Sequence, residues 1–216
     1  MAGTFTSLPI RLMQVLIIHY KYAMKKLCVY CGSSAGTLVE YVNSAKNLAT
    51  YLVVNDIELI YGGASVGIMG VLAQTMLDGG GRVTGVMPKA LVDKEIAHTS
   101  LSQLHVVNSM HERKSLMAEL ADGFMALPGG MGTLEELFEM LTWSQLGYHQ
   151  KPCAALNVAG YFNGLLRFLD HMQTQGFIKP VHRQLLLLDE SPTALVQKML
   201  AYTPAKVDKW IRADDK

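Results

Sequence analysis

From Lys26 onward the apolar positions alternate between two rhythms. Short, largely apolar runs at Leu27–Cys31, Ile57–Tyr61, Val83–Met87, Leu104–Val107, Phe124–Leu127, Ala154–Val158 and Leu185–Leu188 read as strands. Between them lie stretches spaced by three and four. Thr37–Val54 puts Leu38, Val42, Ala45, Leu48, Ala49 and Leu52 on one helical face. Val66–Leu77, Ser109–Ala121, Thr133–Leu146, Tyr161–Gln175 and Pro192–Tyr202 read as further helices. Strands apolar on both faces, with helices between them, predict a mostly parallel sheet covered on each side, an α/β three-layer fold. No linker or repeat interrupts the pattern, so residues 24–204 read as one domain. Residues 1–23 read as an extension upstream of Met24, and 205–216 as a charged tail.

Ligands of such folds sit beyond the carboxyl ends of the strands. Three loops there are rich in small residues: Gly32-Ser33-Ser34, Gly62-Gly63-Ala64-Ser65-Val66-Gly67 and Pro128-Gly129-Gly130-Met131-Gly132-Thr133. Small residues let backbone N–H groups approach an anion, and a following helix adds its positive dipole end. Together the loops point to a phosphate-bearing ligand. The third loop runs G-x-G-x-x-E from Gly130, which departs from the dinucleotide fingerprint, and no Walker motif is present.

Two helices carry chemistry. In Ser109–Ala121, an inward stripe of Met110, Met117, Leu120 and Ala121 includes Arg113 and is bordered by Lys114. Cations there are either a snorkelling pair or the wall of an anion site. In Thr133–Leu146, Leu134, Leu137, Phe138 and Leu141 form one stripe, while Glu136, Met140 and Trp143 form a second. Two apolar sides predict burial on two sides, here against a second subunit with Glu136 near the rim. Glu136 also has a purely structural reading, since Thr133 and Glu136 spell a capping box. A carboxylate beside a phosphate would repel it unless it addresses another part of the ligand, such as the sugar.

Composition narrows the class. Lys and Arg total 19 against 18 Asp and Glu, for a net charge of +1, with no basic stripe for nucleic acid. Charged residues make up 17%, below the ~25% usual for a globular domain, as expected if a partner covers some surface. The sequence contains 3 cysteines, too few for a disulfide framework, which predicts a reducing, cytoplasmic setting. Cys28 and Cys31 form C-x-x-C along a strand without a second ligand pair, so neither redox nor metal chemistry is expected of them. No apolar run is long enough for a membrane span.

Met110-His111-Glu112-Arg113-Lys114, followed by Pro128-Gly129-Gly130-Met131-Gly132-Thr133-Leu134-Glu135-Glu136, resembles the Lonely Guy family. Tyr61-Gly62-Gly63 through Gly70 and Gly85-Val86-Met87-Pro88 agree, and Ala64 departs where many members carry a third glycine. The resemblance covers about Lys26 to Tyr202. It implies a Rossmann-like homodimer or larger homo-oligomer that hydrolyses the N-glycosidic bond of a nucleoside 5′-monophosphate, AMP or a cytokinin nucleotide, to free base and ribose 5-phosphate. It implies Arg113 and Glu136 as the catalytic pair. Substrate contacts fall on Glu95, Arg113, Lys114, Gly129, Gly130, Met131, Gly132, Thr133, Leu134, Glu135 and Thr142. Ser33 and Gly63 join them from the first two small-residue loops. No metal or organic cofactor is required. Two alternatives stand: a non-catalytic carrier of nucleotides or other phospho-ligands, and a pyridoxal-phosphate decarboxylase, for which Lys114 is the sole Schiff-base candidate.

Overall fold

A computed structural model describes residues 24–94 and 97–204. Strands β1 (Lys26–Tyr30), β2 (Glu58–Tyr61), β3 (Val83–Pro88), β4 (Gln103–Val107), β5 (Gly123–Ala126), β6 (Cys153–Leu156) and β7 (Leu186–Asp189) form one sheet in the order β4-β3-β2-β1-β5-β6-β7. Every pairing is parallel. The connecting helices are α1 (Val39–Val54), α2 (Gly67–Asp78), α3 (Lys89–Val92), α4 (Met110–Leu120), α5 (Met131–Leu146), α6 (Asn163–Thr174), α7 (Pro180–Arg183) and α8 (Pro192–Leu200). The short α3 and α7 fall where no periodic pattern stands out, because four residues span barely one turn.

Strand alternation sends successive side chains to opposite layers. Leu27 and Val29 of β1 join Leu48, Leu52, Leu72 and Leu195 beneath α1, α2 and α8. Cys28 and Tyr30 of the same strand join Met117, Ala118, Phe124 and Met140 beneath α4 and α5. This two-sided burial is why the strands read as unbroken apolar runs. It also separates the thiols of the C-x-x-C sequence: Cys28 faces one layer and Cys31 the other, and both are free and buried. Burial pushes both thiols well above the ordinary range, so neither is a ready thiolate.

Two expectations are corrected. Met110 is 49% exposed and does not share the inward stripe of α4, because it stands in the helix's first turn, where the N-terminal end clears the sheet. Met140 of the second α5 stripe is fully buried within the chain with Cys28, Phe124 and Met117, so this residue is not available to a partner, while Trp143 of the same stripe is only partly buried.

No helix among the described residues is long and apolar enough to cross a membrane. The upstream extension and the charged tail lie outside the described residues.

The sheet's carboxyl edge depends on close backbone approach at Gly67. This residue has φ +58°, and a Cβ there would run into the carbonyl of Ser33. Gly67→Ala is therefore expected to cost at least about 2 kcal/mol, lowering the thermal midpoint by roughly 4–8 °C for a chain this size. Gly80 has φ +78° but open space around it. Gly80→Ala should shift the midpoint by less than half as much in the same scanning calorimetry.

Candidate active site

The chain builds β1 to β4 outward on one side of β1, then returns to the other side with β5. The loops after β1 and β5 therefore diverge, leaving a crevice at this switch point. The three small-residue loops meet there. Gly32 N–H donates to Pro128 O at 3.2 Å, and Gly32 O accepts from Ile68 N–H at 3.1 Å. A cavity of about 300 Å³ opens between them, lined by Gly32, Ser33, Ser34, Gly129 and Gly130, with Tyr41 and Tyr161 as its aromatic wall.

The start of α5 faces this crevice and differs from the expected cap. The helix begins at Met131, two residues earlier than the sequence pattern predicts, with Gly130 as N-cap and no side-chain cap bond. Thr133 lies inside the first turn, buried, with its hydroxyl against Gly129. The Thr133–Glu136 capping box does not form. The first N–H groups of a 16-residue helix are thus left without a side-chain acceptor, which is the condition for anion binding at a helix start. A Cβ at Gly130 or Gly132 would meet no protein atom within 4 Å. Packing within the chain does not demand glycine at these two positions.

Released from capping, Glu136 of α5 pairs with Arg113 of α4, Oε1 to Nη1 at 2.8 Å. The two side chains are only 11% and 12% exposed. Arg113 is anchored from below by donating its Nε–H to Val86 O at 3.1 Å. Its guanidinium lies so close to Gly62 that a Cβ there would collide with Nη2. Burial raises the Glu136 carboxyl above the ordinary carboxylate range, and the Arg113 cation opposes that shift. Lys114, the next residue, turns the other way. It bonds Glu135 at 2.6 Å and Glu139 at 3.1 Å, and the Glu135 contact raises its pKa.

The other expected contacts divide into two groups. Ser33, Gly129, Gly130, Met131, Gly132 and Thr133 gather around the cavity and the α5 start. Gly63 stands behind them at φ +84°, its carbonyl accepting from His98 N–H at 2.9 Å. Leu134 packs into the layer under α6, and exposed Glu135 reaches Lys114. Thr142 is not brought to the pair. Its hydroxyl donates to Phe138 O at 2.7 Å, and it lines a separate hollow of about 190 Å³ with Leu141, Gln145 and His182. Glu95 lies outside the described residues. Gly62 and the Val86 carbonyl are missed by sequence reasoning. The Tyr61-Gly62-Gly63 doublet was the available signal for the former, whereas a backbone acceptor leaves no mark in the sequence.

A family profile described as "Possible lysine decarboxylase" matches residues 69–199. The cytokinin riboside 5'-monophosphate phosphoribohydrolase LOG1 of Arabidopsis thaliana is 48% identical over 180 residues, 83% of this chain and 84% of that protein. A probable enzyme of the same description from Oryza sativa subsp. japonica, LOGL1, is 50% identical over 178 residues, 82% of this chain and 80% of that protein. The chain belongs to the Lonely Guy family. Among solved structures, the molybdenum cofactor carrier protein of Chlamydomonas reinhardtii superposes with TM-score 0.63 at 20% identity, over 82% of this chain and 98% of that one. The molybdenum cofactor binding protein of Rippkaea orientalis gives 0.60 at 18% identity, over 82% and 95%. At such identities the likeness shows the Rossmann-like fold alone. Family members and these carriers therefore share a scaffold, and function has to be argued from the site.

The geometry fixes a sign for the Glu136 titration. Gly62→Ala pushes the guanidinium away, and Arg113→Ala removes it. Each change should move the Glu136 carboxyl pKa further up, because the opposing cation is lost while burial remains. Carboxyl carbon-13 NMR titration reads this directly. A downward shift in either variant contradicts the arrangement.

Proposed function

We propose that this chain hydrolyses the N-glycosidic bond of an adenine-type nucleoside 5′-monophosphate, AMP or a cytokinin nucleotide, releasing free base and ribose 5-phosphate. The observation that carries the reading is a division of labour along one helix. The uncapped start of α5 suits a phosphate, and its own Glu136, buried against Arg113, stands one turn further on. An anion carrier gains nothing from a buried carboxylate beside its anion site. A hydrolase needs one, and the curated relatives carry the corresponding activity in their names.

In this mechanism the loops after β1 and β5 hold the 5′-phosphate, with Ser33, Gly130, Gly132 and Thr133 nearest to it. The C1′–N bond breaks with its electron pair leaving on the base, and the sugar passes through an oxocarbenium-like state. The Glu136 carboxylate stabilises that charge and takes a proton from the attacking water, whose oxygen bonds to C1′. That proton ends on the nitrogen of the departing base, so the reaction consumes one water. The planar guanidinium fork of Arg113 orients Glu136 and the ribose. Lys114 and Glu135 are assigned to the rim. Glu95 and Thr142 are assigned to the substrate on family resemblance, in an assembly of two or more copies in the cytoplasm.

The decarboxylase reading does not fit the residues present. A Schiff-base lysine must lose its proton, and Lys114 is held as an ammonium by two carboxylates.

Assaying ribose 5-phosphate release from a panel of nucleoside monophosphates tests the proposal. AMP or its prenylated form should be cleaved, and adenosine, which lacks the phosphate, should not. Glu136→Gln keeps an oxygen for Arg113 Nη1 and should lower kcat by roughly 10²- to 10⁴-fold, the scale of general base catalysis, while loss of the buried charge pair lowers the thermal midpoint without unfolding the protein. Near-normal turnover in that variant would falsify the assignment. The acid limb of kcat/KM should also lie above the ordinary carboxylate range. Glu136 is raised by burial, so the active carboxylate is lost as pH falls through that raised value.

A further inference from the structure

After β6 the chain turns sharply through a 3-10 turn at Val158–Gly160, where Ala159 and Gly160 stand at φ +50° and +71°. A non-glycine residue in the left-handed region persists only where its surroundings enforce it, and such strain gathers at functional sites. Here the enforcing group is buried Asn157. Its Oδ1 accepts from Phe162 N–H and its Nδ2 donates to Asn163 Oδ1, both at 2.8 Å. The strained turn delivers Tyr161 over the loop that follows β5. Its hydroxyl donates to Gly129 O at 2.6 Å. Its ring stands edge-on to Tyr41, with centroids 5.7 Å apart, and to Phe162 at 5.0 Å.

We propose that Tyr161 is a positioning residue for the phosphate loop: its hydroxyl clamps the Gly129–Gly130 peptide so that the N–H groups at the start of α5 are set for the anion before it arrives. This rests on the phosphoribohydrolase reading and adds a residue to it. A trans peptide points its C=O and N–H in opposite directions. Fixing the Gly129 carbonyl therefore fixes the direction of Gly130 N–H, which belongs to the N-cap of α5. Gly129 and Gly130 have no side chains of their own; Thr133 packs against Gly129, and the Tyr161 hydrogen bond fixes the direction of the Gly129 carbonyl. The phenol has one proton, and it is committed to Gly129 O, so it is not available for donation to a phosphate oxygen. The Tyr161 hydroxyl thus acts through the peptide, while its ring remains part of the cavity wall. Pre-setting the loop lowers the ordering cost of binding, which appears in affinity for phosphate-bearing ligands and not in the chemical step.

Tyr161→Phe keeps the ring against Tyr41 and Phe162 and removes only the clamp. We expect the KM for AMP and the inhibition constants for inorganic phosphate and ribose 5-phosphate to rise together by roughly three- to tenfold, the scale of one neutral hydrogen bond. The kcat should stay within about twofold, and inhibition by adenine, which carries no phosphate, should be unchanged. Unchanged phosphate inhibition overturns the proposal. So does an equal loss for adenine and phosphate, or a thermal midpoint lowered by more than about 10 °C, since each assigns the hydroxyl to the fold. Should wild-type protein release no ribose 5-phosphate from AMP, the phosphoribohydrolase reading fails on its own. Dissociation constants for AMP and phosphate from titration calorimetry on both proteins then decide the Tyr161 clamp separately.

Discussion

A carboxylate withdrawn from water stays ionised only where a cation stands against it, and the site is organised around one such contact, Arg113 on Glu136. The contact draws on four separate elements. Arg113 comes from α4 and Glu136 from α5, the carbonyl of Val86 within β3 holds the guanidinium's Nε, and Gly62 after β2 leaves room for its Nη2. A guanidinium can fill this role because its planar fork donates in several directions at once. Nη1 serves the carboxylate while Nε serves the backbone. Neighbouring Lys114 is tied to two other carboxylates and balances the acidic face of α5 instead. Adjacent cations of the same helix thus have different tasks, set by which partner lies within reach.

The second constraint is backbone proximity at the sheet's carboxyl edge. The loops after β1, β2 and β5 touch main chain to main chain, through Gly32 on Pro128, Ile68 on Gly32, and Gly67 against Ser33. Contacts of this kind leave few side chains between the loops, so the N–H groups of α5 remain accessible from the crevice. In the proposed reaction, an anion at the helix start and the carboxylate a turn later are two charges of the same sign kept apart on one rigid element. The helix dipole favours the anion at its first turn, while Arg113 neutralises the acid beyond it. The likeness to the cofactor carriers extends to the scaffold alone, and the chemistry depends on which side chains stand beside the loops.

Much of this was legible in the residue order. Strands apolar on both faces report a covered parallel sheet, and most element boundaries fall within one or two residues of the pattern, since period and turn residues act locally. The glycine-rich loops and their placement after strands also follow from local sequence, as does Arg113 among apolar neighbours. What local reasoning misassigned was the start of α5. Thr133 and Glu136 satisfy the spacing of a capping box, yet the helix starts earlier, Thr133 packs against nearby Gly129, and Glu136 turns to Arg113, 23 residues away. Met140 follows the same logic. Its apolar side was legible, but whether α4 or another subunit covers it was not.

The order of residues by itself determined the alternation of strands and helices, the small-residue loops and the kinds of charged group available, because these depend on spacing along the chain. Only the tertiary structure decided which charges meet, which helix start is left uncapped, and that Tyr161 closes over Gly129. The Arg113–Glu136 and Tyr161–Gly129 contacts join residues 23 and 32 apart in sequence. Such contacts are set by how the layers stack and which loops share an edge of the sheet, and no period within one segment encodes them.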